Sequence, residues 1–435
     1  MSAPDVKPPI LIVAGNASAR SGGESILPLH YFTHLAARGW PVTLIAHERN
    51  REELCAHLPD LVDQMRFTAD TALQRLAWRL GRHFPGAIEE HVFGNLIELG
   101  NSLQLRRLVR AEIRAGRAAL VHQPVPVSPA APSTLFGLEV PVVIGPMNGG
   151  MNYPPGYASR FERPLARTLV PLGRRMAALV NRLLPGKPQA AMLLVANQRT
   201  ARALPIRHAR VVELVENGVD MRLWRGAAPL PNPDGGFRLV FLGRLIALKG
   251  LDYTLQALAR ARAARPDLDI RLDILGDGPE RAPLTVLTEQ LGLAEAVRFH
   301  GFLPQAECAR HLAGAQALIL NSLRECGGAV VLEAMALGKP VIAADWGGPA
   351  DYVDESCGLL VAPSPPEGFE TRLAEAMLRL AANPEAAAEL GRNGAERVRL
   401  HYDWARKIER IEALYAEVLA SDVNRRGLEH RAQRE

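Results

Sequence analysis

The sequence contains little cysteine and no closely spaced cysteine pair. Among its 435 residues are four cysteines, Cys55, Cys308, Cys326 and Cys357, and no two of them form a CxxC motif. This scatter argues against a zinc site built from cysteine and against a disulfide framework. We therefore expect four reduced thiols.

The sequence also lacks a long apolar run. No uninterrupted run approaches the roughly 18 residues that a membrane-spanning helix needs. The N-terminal stretch, MSAPDVKPPILIVAGNAS, has an acid before its lone lysine and only a five-residue apolar run, which is unlike a signal peptide. A composition of 48% hydrophobic and 22% charged residues is typical of a globular protein. We expect a folded, soluble, cytoplasmic chain, and its length favours two domains.

Positive charge is concentrated in the first half of the chain. Residues 1–225 contain 27 Lys and Arg against 17 Asp and Glu, whereas the rest contains 24 against 29. Arginines stand among apolar residues in three predicted helices, at 71–83, 103–117 and 160–184. Such helices can lie on an anionic membrane, although arginines also flank ordinary core-facing stripes. Three of them in one half favour a peripheral membrane surface, and no recognised nucleic-acid motif accompanies the charge.

Apolar runs alternate with predicted helices along the whole chain. In the first half we predict strands in ILIVAG, PVTLIAH, AALVHQP, PVVIGPM and AMLLVAN, with a glycine loop, NASARSGGES, after the first. In the second half we predict strands in FRLVFLGRL, DIRLDILGDG, VRFHGF, ALILNS and PVIAADW. This alternation indicates parallel sheets covered by helices on both faces.

The segment 226–236 is too rich in proline and glycine for regular structure, and we place the domain junction there. The predicted organisation is a doubly wound domain over 1–225, a linker at 226–236 and a second doubly wound domain over 237–400. A C-terminal helix at 401–435 ends in a polar tail and is expected to return to the first domain.

Two glycine-containing loops follow predicted strands of the second half. In GRLIALKG, Arg244 and Lys249 are two cations on one short loop, which suits a diphosphate; the alternative is a pair of exposed loop cations. In LGDGPE, Gly276 and Gly278 let a ligand approach the backbone, but this motif alone is a weak signal.

The stretch SLRECGGAVVLEAMALGKPVI contains two acids eight positions apart. If a helix begins near Gly328, then Glu325 precedes it and Glu333 lies in its first two turns. Gly327 and Gly328 would expose amides at a helix N-terminus, which stabilise a phosphate. Carboxylates accept hydrogen bonds from sugar hydroxyls, so one acid could hold a hexose and the other a ribose. The alternative is that Glu325 is a helix-start acid favoured by the helix dipole and that Glu333 is solvated, but the helix around Glu333 is apolar almost all round.

A further loop with two adjacent glycines, DWGGPADYV, places Gly347 and Gly348 directly after a predicted strand. Together with NGVD, GRLxxxKG, GDGP and the paired acids followed by AMALGKPVIA, the second half resembles the retaining glycosyltransferases of family 4. The resemblance covers nearly the whole chain and is strongest from Val215 to Val361. It implies the GT-B fold, in which two doubly wound Rossmann-like domains face a central cleft.

That resemblance implies transfer of a hexose-type sugar from a UDP- or GDP-sugar to a glycan or lipid-linked glycan, with retained anomeric configuration. Neither a metal nor another cofactor is expected, because the sequence has no DxD motif at a credible loop. Arg244 and Lys249 would bind the diphosphate, Glu325 the transferred sugar and Glu333 the ribose. The acceptor hydroxyl would attack from the front face and give its proton to the departing phosphate.

The resemblance extends to the first half. SGGES would place Gly22 and Gly23 against the donor phosphate with Glu24 nearby, and VHQP would place His122 beside the sugar. A histidine at a strand end is otherwise more often structural.

The sequence departs from the family pattern at Gly327, where the family has Phe. The loop IGPMNGGMNYPPGY contains Asn148, Gly149 and Gly150, which either contact sugar or acceptor or form a simple turn. The alternative functions are those of a GT-B sugar-nucleotide epimerase and of a non-catalytic nucleotide-sugar binder. The intact acid pair and the KG motif favour a transferase over both.

Overall fold

The computed structural model describes residues 7–20, 23–81, 95–161, 164–232 and 235–432. The chain divides into two compact units, and each of them is assembled from separate stretches of sequence. The first unit comprises Met1–Gly150, Leu169–Glu216 and Ile408–Glu435, and the second comprises Met151–Thr168 and Asn217–Lys407.

The described residues of the first unit form a seven-stranded parallel sheet in the order β3-β2-β1-β4-β5-β6-β7. Its central strands are buried on both faces because helices cover each side, which explains their continuous apolar sequence. The strands are β1 Ile10–Val13, β2 Val42–His47, β3 Met65–Thr68, β4 Leu120–Gln123, β5 Val142–Met147, β6 Met192–Val195 and β7 Val211–Glu213.

Helices connect these strands, as right-handed parallel crossovers require. They are α1 Leu27–Ala37, α2 Arg51–His57, α3 Ala72–Gly81, α4 Asn95–Arg114, α5 Ala158–Phe161, α6 Pro164–Leu183, α7 Gly186–Gln189 and α8 Gln198–Arg202. Of these, α5 and the start of α6 belong to the second unit.

The second unit repeats the same plan with six parallel strands in the order β10-β9-β8-β11-β12-β13. Its strands are β8 Phe237–Leu242, β9 Ile270–Leu275, β10 Val297–Gly301, β11 Ala317–Leu320, β12 Val341–Ala344 and β13 Gly358–Val361. In both sheets the chain starts in the middle, builds one side, then crosses back and builds the other. This order creates a switch point between β8 and β11, where ligands of open α/β sheets bind.

Helices again cover both faces of this sheet, and the last helix leaves it. They are α9 Met221–Arg225, α10 Leu251–Ala264, α11 Arg281–Gln290, α12 Gln305–Gly314, α13 Ala329–Ala336, α14 Gly348–Tyr352, α15 Phe369–Ala381, α16 Pro384–His401 and α17 Trp404–Ala432. From Ile408 onward α17 belongs to the first unit.

The ten strands that the sequence predicts are all present, and two doubly wound sheets confirm the predicted fold class. The sequence reading missed the short strands β3, β7 and β13. The described part of the proposed linker packs on the second unit, since Leu230 N donates a hydrogen bond to Arg310 O at 3.1 Å. No helix among the described residues is long and apolar enough to span a bilayer.

Candidate nucleotide site

The loop after β8 carries the two predicted cations. A short 3-10 turn, Ala247–Lys249, ends at Gly250, whose φ of 65° is left-handed and permits the tight entry into α10. Lys249 is directed inward, with 17% of its side chain exposed, whereas Arg244 is exposed. The loop therefore carries one mostly buried cation, Lys249, and one exposed cation, Arg244.

The loop after β11 is fixed to the loop after β8 by a buried asparagine. Asn321 Nδ2 donates to Gly250 O at 2.6 Å, and Asn321 Oδ1 accepts from Thr254 Oγ1 at 2.5 Å. Leu323 N also donates to Leu248 O at 2.8 Å. These bonds hold the segment that carries Glu325 against the segment that carries Lys249.

Glu325 is brought directly onto Lys249. Lys249 Nζ donates a hydrogen bond to Glu325 Oε2, and Ser322 Oγ lies 3.4 Å from the same oxygen. Both charged side chains are mostly buried, at 17% and 18% exposure. The switch point of the second sheet therefore holds a positive and a negative group in contact.

The helix predicted after the glycine pair begins where expected. Gly328 precedes α13 with a left-handed φ of 81°, and no side chain caps the first turn of the helix. The first amides of a helix have no partner within it, so they are donors for an incoming anion. Gly327 and Gly328 themselves add no side chain beside these amides.

Glu333 lies in the second turn of α13. Its exposure is intermediate, but protein atoms surround the carboxyl group, and this desolvation raises the pKa of Glu333 to about 7. Within the described part of the chain it forms no hydrogen bond or ion pair. The Glu333 carboxylate can therefore accept hydrogen bonds from the hydroxyl groups of a ligand such as a ribose.

The GDGP loop packs on the loop after β8 through backbone contacts. A Cβ atom on Gly276 would lie 1.9 Å from Gly243 O, and one on Gly278 would lie 2.3 Å from Leu245 O. Leu245 N also donates to Asp277 O at 2.9 Å. Glycine is thus required at both positions by the packing of the two loops, a reason that the sequence motif does not reveal.

The glycine pair after β12 packs on the Glu325 segment in the same way. Gly348 N donates to Glu325 O at 2.8 Å. A Cβ on Gly348 would lie 2.2 Å from Gly327 O, and Gly347 has a left-handed φ of 74°. The two glycines therefore fix the backbone on which Glu325 stands.

One supporting segment, residues 151–161, was not predicted to belong here. Tyr157 is buried and donates to Pro363 O at 3.0 Å, and Trp346 Nε1 donates to Asn152 O at 3.0 Å. Arg324, next to Glu325, lies 5.2 Å from the ring centre of Tyr153. The sequence signal for this segment is the cluster of aromatic and proline residues in NYPPGY, which by itself predicts a loop of the first domain.

His122 lies in β4, in the core of the first unit. It is 0% exposed. Its Nε2 lies 2.6 Å from Gly145 O, a carbonyl that can only accept, so Nδ1 accepts the 2.6 Å hydrogen bond from Tyr415 OH. Both ring nitrogens of His122 therefore have partners within the first unit, and its predicted contact with the sugar stays a prediction.

The N-terminal glycine loop is described in part. Gly22 lies outside the described residues, whereas Gly23 is exposed and has a φ of 72°. Glu24 Oε1 accepts a 2.9 Å hydrogen bond from Val127 N, and burial raises the pKa of Glu24. This acid therefore connects the glycine loop to the segment after β4.

The predicted loop residues after β5 are held within the first unit. Asn148 is buried, and its Nδ2 donates to Glu216 Oε1 at 2.7 Å. Gly149 N donates to Thr200 Oγ1 at 3.1 Å, and Gly150 has a left-handed φ of 71°. These contacts describe a hydrogen-bonded turn.

The fold is that of a two-unit α/β protein with a doubly wound parallel sheet in each unit. Residues 226–397 match the family model described as Glycosyl transferases group 1. D-inositol 3-phosphate glycosyltransferase of Corynebacterium glutamicum (strain R) is 31% identical over 216 residues, which are 48% of this chain and 50% of that protein. The matched part thus spans about half the length of the curated relatives. The similarity to the glycosyl transferases group 1 family is therefore a similarity of residues 226–397.

Solved structures match nearly the whole chain. Anabaena Alr3699/HepE, crystallised in complex with UDP, has a TM-score of 0.64 at 16% identity and covers 94% of this chain and 100% of its own. Sucrose-phosphate synthase from Thermosynechococcus elongatus has a TM-score of 0.66 at 19% identity and covers 95% and 100%. At these identities the likeness establishes the fold, which is GT-B.

Proposed function

We propose that this protein is a retaining, metal-independent glycosyltransferase that transfers a hexose from a UDP- or GDP-sugar to a glycan or lipid-linked glycan. The observation that carries the proposal is the contact of Lys249 with Glu325 at the switch point of the family-matched unit. It sets a cation for the leaving diphosphate beside a carboxylate for the sugar hydroxyls. The UDP in the HepE complex supports a uridine nucleotide as one donor type.

In the proposed reaction the diphosphate oxygens take the place of Glu325 on Lys249. Arg244 adds a second, exposed cation, and the amides after Gly327 and Gly328 add neutral donors. Negative charge that develops on the leaving oxygen is thereby stabilised by groups already in position. The released Glu325 accepts hydrogen bonds from the hexose, and Glu333 accepts them from the ribose.

The acceptor hydroxyl attacks the anomeric carbon on the face from which the nucleotide departs. The bond from that carbon to the diphosphate oxygen breaks, and the acceptor proton passes to the same oxygen. Because the leaving group takes the proton, the reaction needs neither a protein nucleophile nor His122 as a base. The protein contributes position and electrostatic stabilisation.

A lipid-linked acceptor is supported by a surface of the first unit. On α3, Leu76, Trp78 and Leu80 are 51%, 55% and 46% exposed, and Arg75 and Arg79 are exposed between them. On α6, Met176, Leu179 and Leu183 are also exposed. Exposed apolar side chains mixed with arginines suit the interface of an anionic membrane, where tryptophan is favoured. We therefore propose peripheral contact with the cytoplasmic membrane.

Product analysis tests the proposed reaction. The chain is incubated with radiolabelled UDP- or GDP-hexoses and a membrane lipid extract, and the labelled products are separated. A labelled glycoside with the donor's anomeric configuration is expected, and it should form without added Mg²⁺ or Mn²⁺. A labelled epimer of the donor would indicate the epimerase instead, and binding of the donor without any turnover would indicate the non-catalytic binder.

A further inference from the structure

Two histidines and one aspartate converge outside the loops of the nucleotide site. Asp273 lies in β9, His300 in β10 and His311 in α12, which packs over that side of the second sheet. One side-chain ligand atom from each lies within 4.8 Å of the other two. We call this group the Asp–His–His cluster, and nothing in the proposed transfer reaction uses it.

An irregularity in the sheet directs His300 into the cluster. The register of β10 against β9 shifts between Phe299 and Gly301, which leaves His300 as the additional residue of a bulge on the edge strand. Bulges re-aim side chains and recur beside functional sites. Here His300 Nε2 lies 3.0 Å from Asp273 Oδ1, and the rings of His300 and His311 are centred 4.5 Å apart.

Asp273 is an unusual residue for its position. It interrupts the apolar strand IRLDIL, and its side chain is only 7% exposed. Its Oδ2 lies 3.6 Å from Arg238 Nε, and Arg238 is itself held by a 2.6 Å hydrogen bond to Asn232 Oδ1. One carboxylate oxygen is thus oriented by an arginine while the other faces the histidines, as is common for oriented metal-binding carboxylates.

We propose that the Asp–His–His cluster binds a divalent transition-metal ion, with zinc favoured by its two imidazoles and one carboxylate. Zinc bonds of about 2.0–2.1 Å in a tetrahedron place ligand atoms about 3.3 Å apart. The Asp273 and His300 ligand atoms are 3.0 Å apart, close to this spacing, and His311 offers a ligand atom within 4.8 Å of both. Three protein ligands leave the fourth position for water.

The site would connect the sheet edge to a loop of the nucleotide site. Gly301, the residue after His300, accepts a 2.8 Å hydrogen bond from Gly276 N at the start of the GDGP loop. A metal held by His300 therefore fixes the end of β10 on which that loop rests. This role is structural and does not depend on the proposed transfer reaction, in which no metal takes part.

Metal titration of the full chain, without an affinity tag and freed of metal by EDTA and dialysis, tests the proposal. Calorimetry with ZnCl2 near pH 7.5 is expected to show saturable binding of one zinc per chain. His300→Ala and His311→Ala should each weaken that binding at least about 10-fold, the usual effect of disturbing a metal site. His401→Ala, which removes an exposed histidine at the end of α16, should leave the binding unchanged.

Thermal unfolding gives a second readout that remains valid if a variant is less stable. A ligand that binds the folded state raises its Tm, so zinc should raise the Tm of the wild type and of His401→Ala but not of the two cluster variants. Absence of saturable zinc binding by the wild type would overturn the proposal. Equal zinc affinity in the wild type and both cluster variants would overturn it as well.

Discussion

Lys249 and Glu325 form an ion pair across the switch point of the second sheet, with Lys249 Nζ donating to Glu325 Oε2. The pair is mostly buried, so each group satisfies the other until a ligand replaces one of them. A phosphate oxygen is a stronger competitor for Lys249 than water is. The ion pair therefore holds the Lys249 ammonium and the Glu325 carboxylate in defined positions, and the proposed reaction separates these two groups.

Removal of the cation should weaken nucleotide binding. Lys249→Ala should raise the Kd for UDP or GDP, whichever binds, by about 10- to 100-fold, because a hydrogen bond to a charged group contributes about 1.5–3 kcal/mol. Calorimetry measures this Kd. Lys249→Arg should recover part of the affinity, and Arg392→Ala, an exposed cation on α16, should have no effect. Equal affinity in Lys249→Ala and the wild type would contradict the assignment.

Removal of the negative charge of Glu325 should impair sugar transfer without weakening the binding of the nucleoside diphosphate. Glu325→Gln keeps the shape of the side chain but weakens its acceptance of sugar hydroxyl bonds, so kcat should fall by about 100-fold or more. The Kd for the nucleoside diphosphate should stay the same or fall, because Lys249 loses its competitor. Steady-state kinetics and calorimetry give the two values. Glu355→Gln, at an exposed position, serves as the control; a parallel loss of binding and turnover would argue for a purely structural Glu325.

The pKa of Glu333 predicts how stability depends on pH. Its pKa rises from 4.5 to about 7 on folding, so the folded state binds more protons between these values and its stability falls as pH rises from about 4.5 to 7. Glu333→Gln removes this cost. The variant should therefore gain Tm relative to the wild type at pH 8 and much less at pH 5, while its nucleotide binding weakens.

Melting curves at the two pH values test this sign. Glu295→Gln, an exposed acid of the second unit, provides the baseline for loss of one carboxylate. An identical Tm difference between Glu333→Gln and the wild type at pH 5 and pH 8 would show that Glu333 titrates normally.

The His122–Tyr415 hydrogen bond predicts a stability effect without a catalytic one. Tyr415→Phe leaves Nδ1 of the buried His122 without its donor, which costs about 1–3 kcal/mol. Chemical unfolding should show this loss, while kcat per folded molecule stays unchanged. Ser421→Ala removes a hydroxyl from an exposed part of the same helix and should cost far less. A large fall in the kcat of Tyr415→Phe with unchanged stability would instead indicate that His122 takes part in the reaction.

The exposed face of α3 predicts membrane binding that depends on apolar contact. In flotation experiments with anionic liposomes, several-fold less of the double variant Leu76→Ser and Trp78→Ser than of the wild type should float with the lipid. The reason is that burial of large apolar side chains drives interfacial binding. Val286→Ser removes an apolar side chain that is 52% exposed in the second unit and should leave flotation unchanged. Equal flotation of the wild type and the double variant would contradict membrane binding through the exposed face of α3.

The sequence predicted the sheets and the loops that carry Lys249 and Glu325, but not the contact between these two residues or the contacts that support it. Apolar runs such as FRLVFL are visible without a structure because buried parallel strands need them, whereas β7 is three residues long and lacks such a run. Spacing placed Glu325 before a helix and Glu333 within it. It could not show that Asn321 joins the two loops or that Gly276 and Gly278 are required by backbone packing, because these depend on residues distant in sequence.

For His122 the sequence predicts the position in a strand but not the direction of the side chain. A motif placed it at the end of a strand, which the structure confirms for β4, but side-chain direction decides its role. In a strand, successive side chains point to opposite faces, and a histidine one position from the ligand edge can point into the core. Its partner Tyr415 lies 293 residues later, so no local pattern could identify it.

A crystal structure of the chain with UDP or GDP tests the central claim most directly. The account predicts the diphosphate on Lys249 and Arg244, with its oxygens facing the amides that follow Gly327 and Gly328, the ribose at Glu333, and Glu325 released from Lys249. A nucleotide bound elsewhere, with the Lys249–Glu325 pair intact, would contradict it.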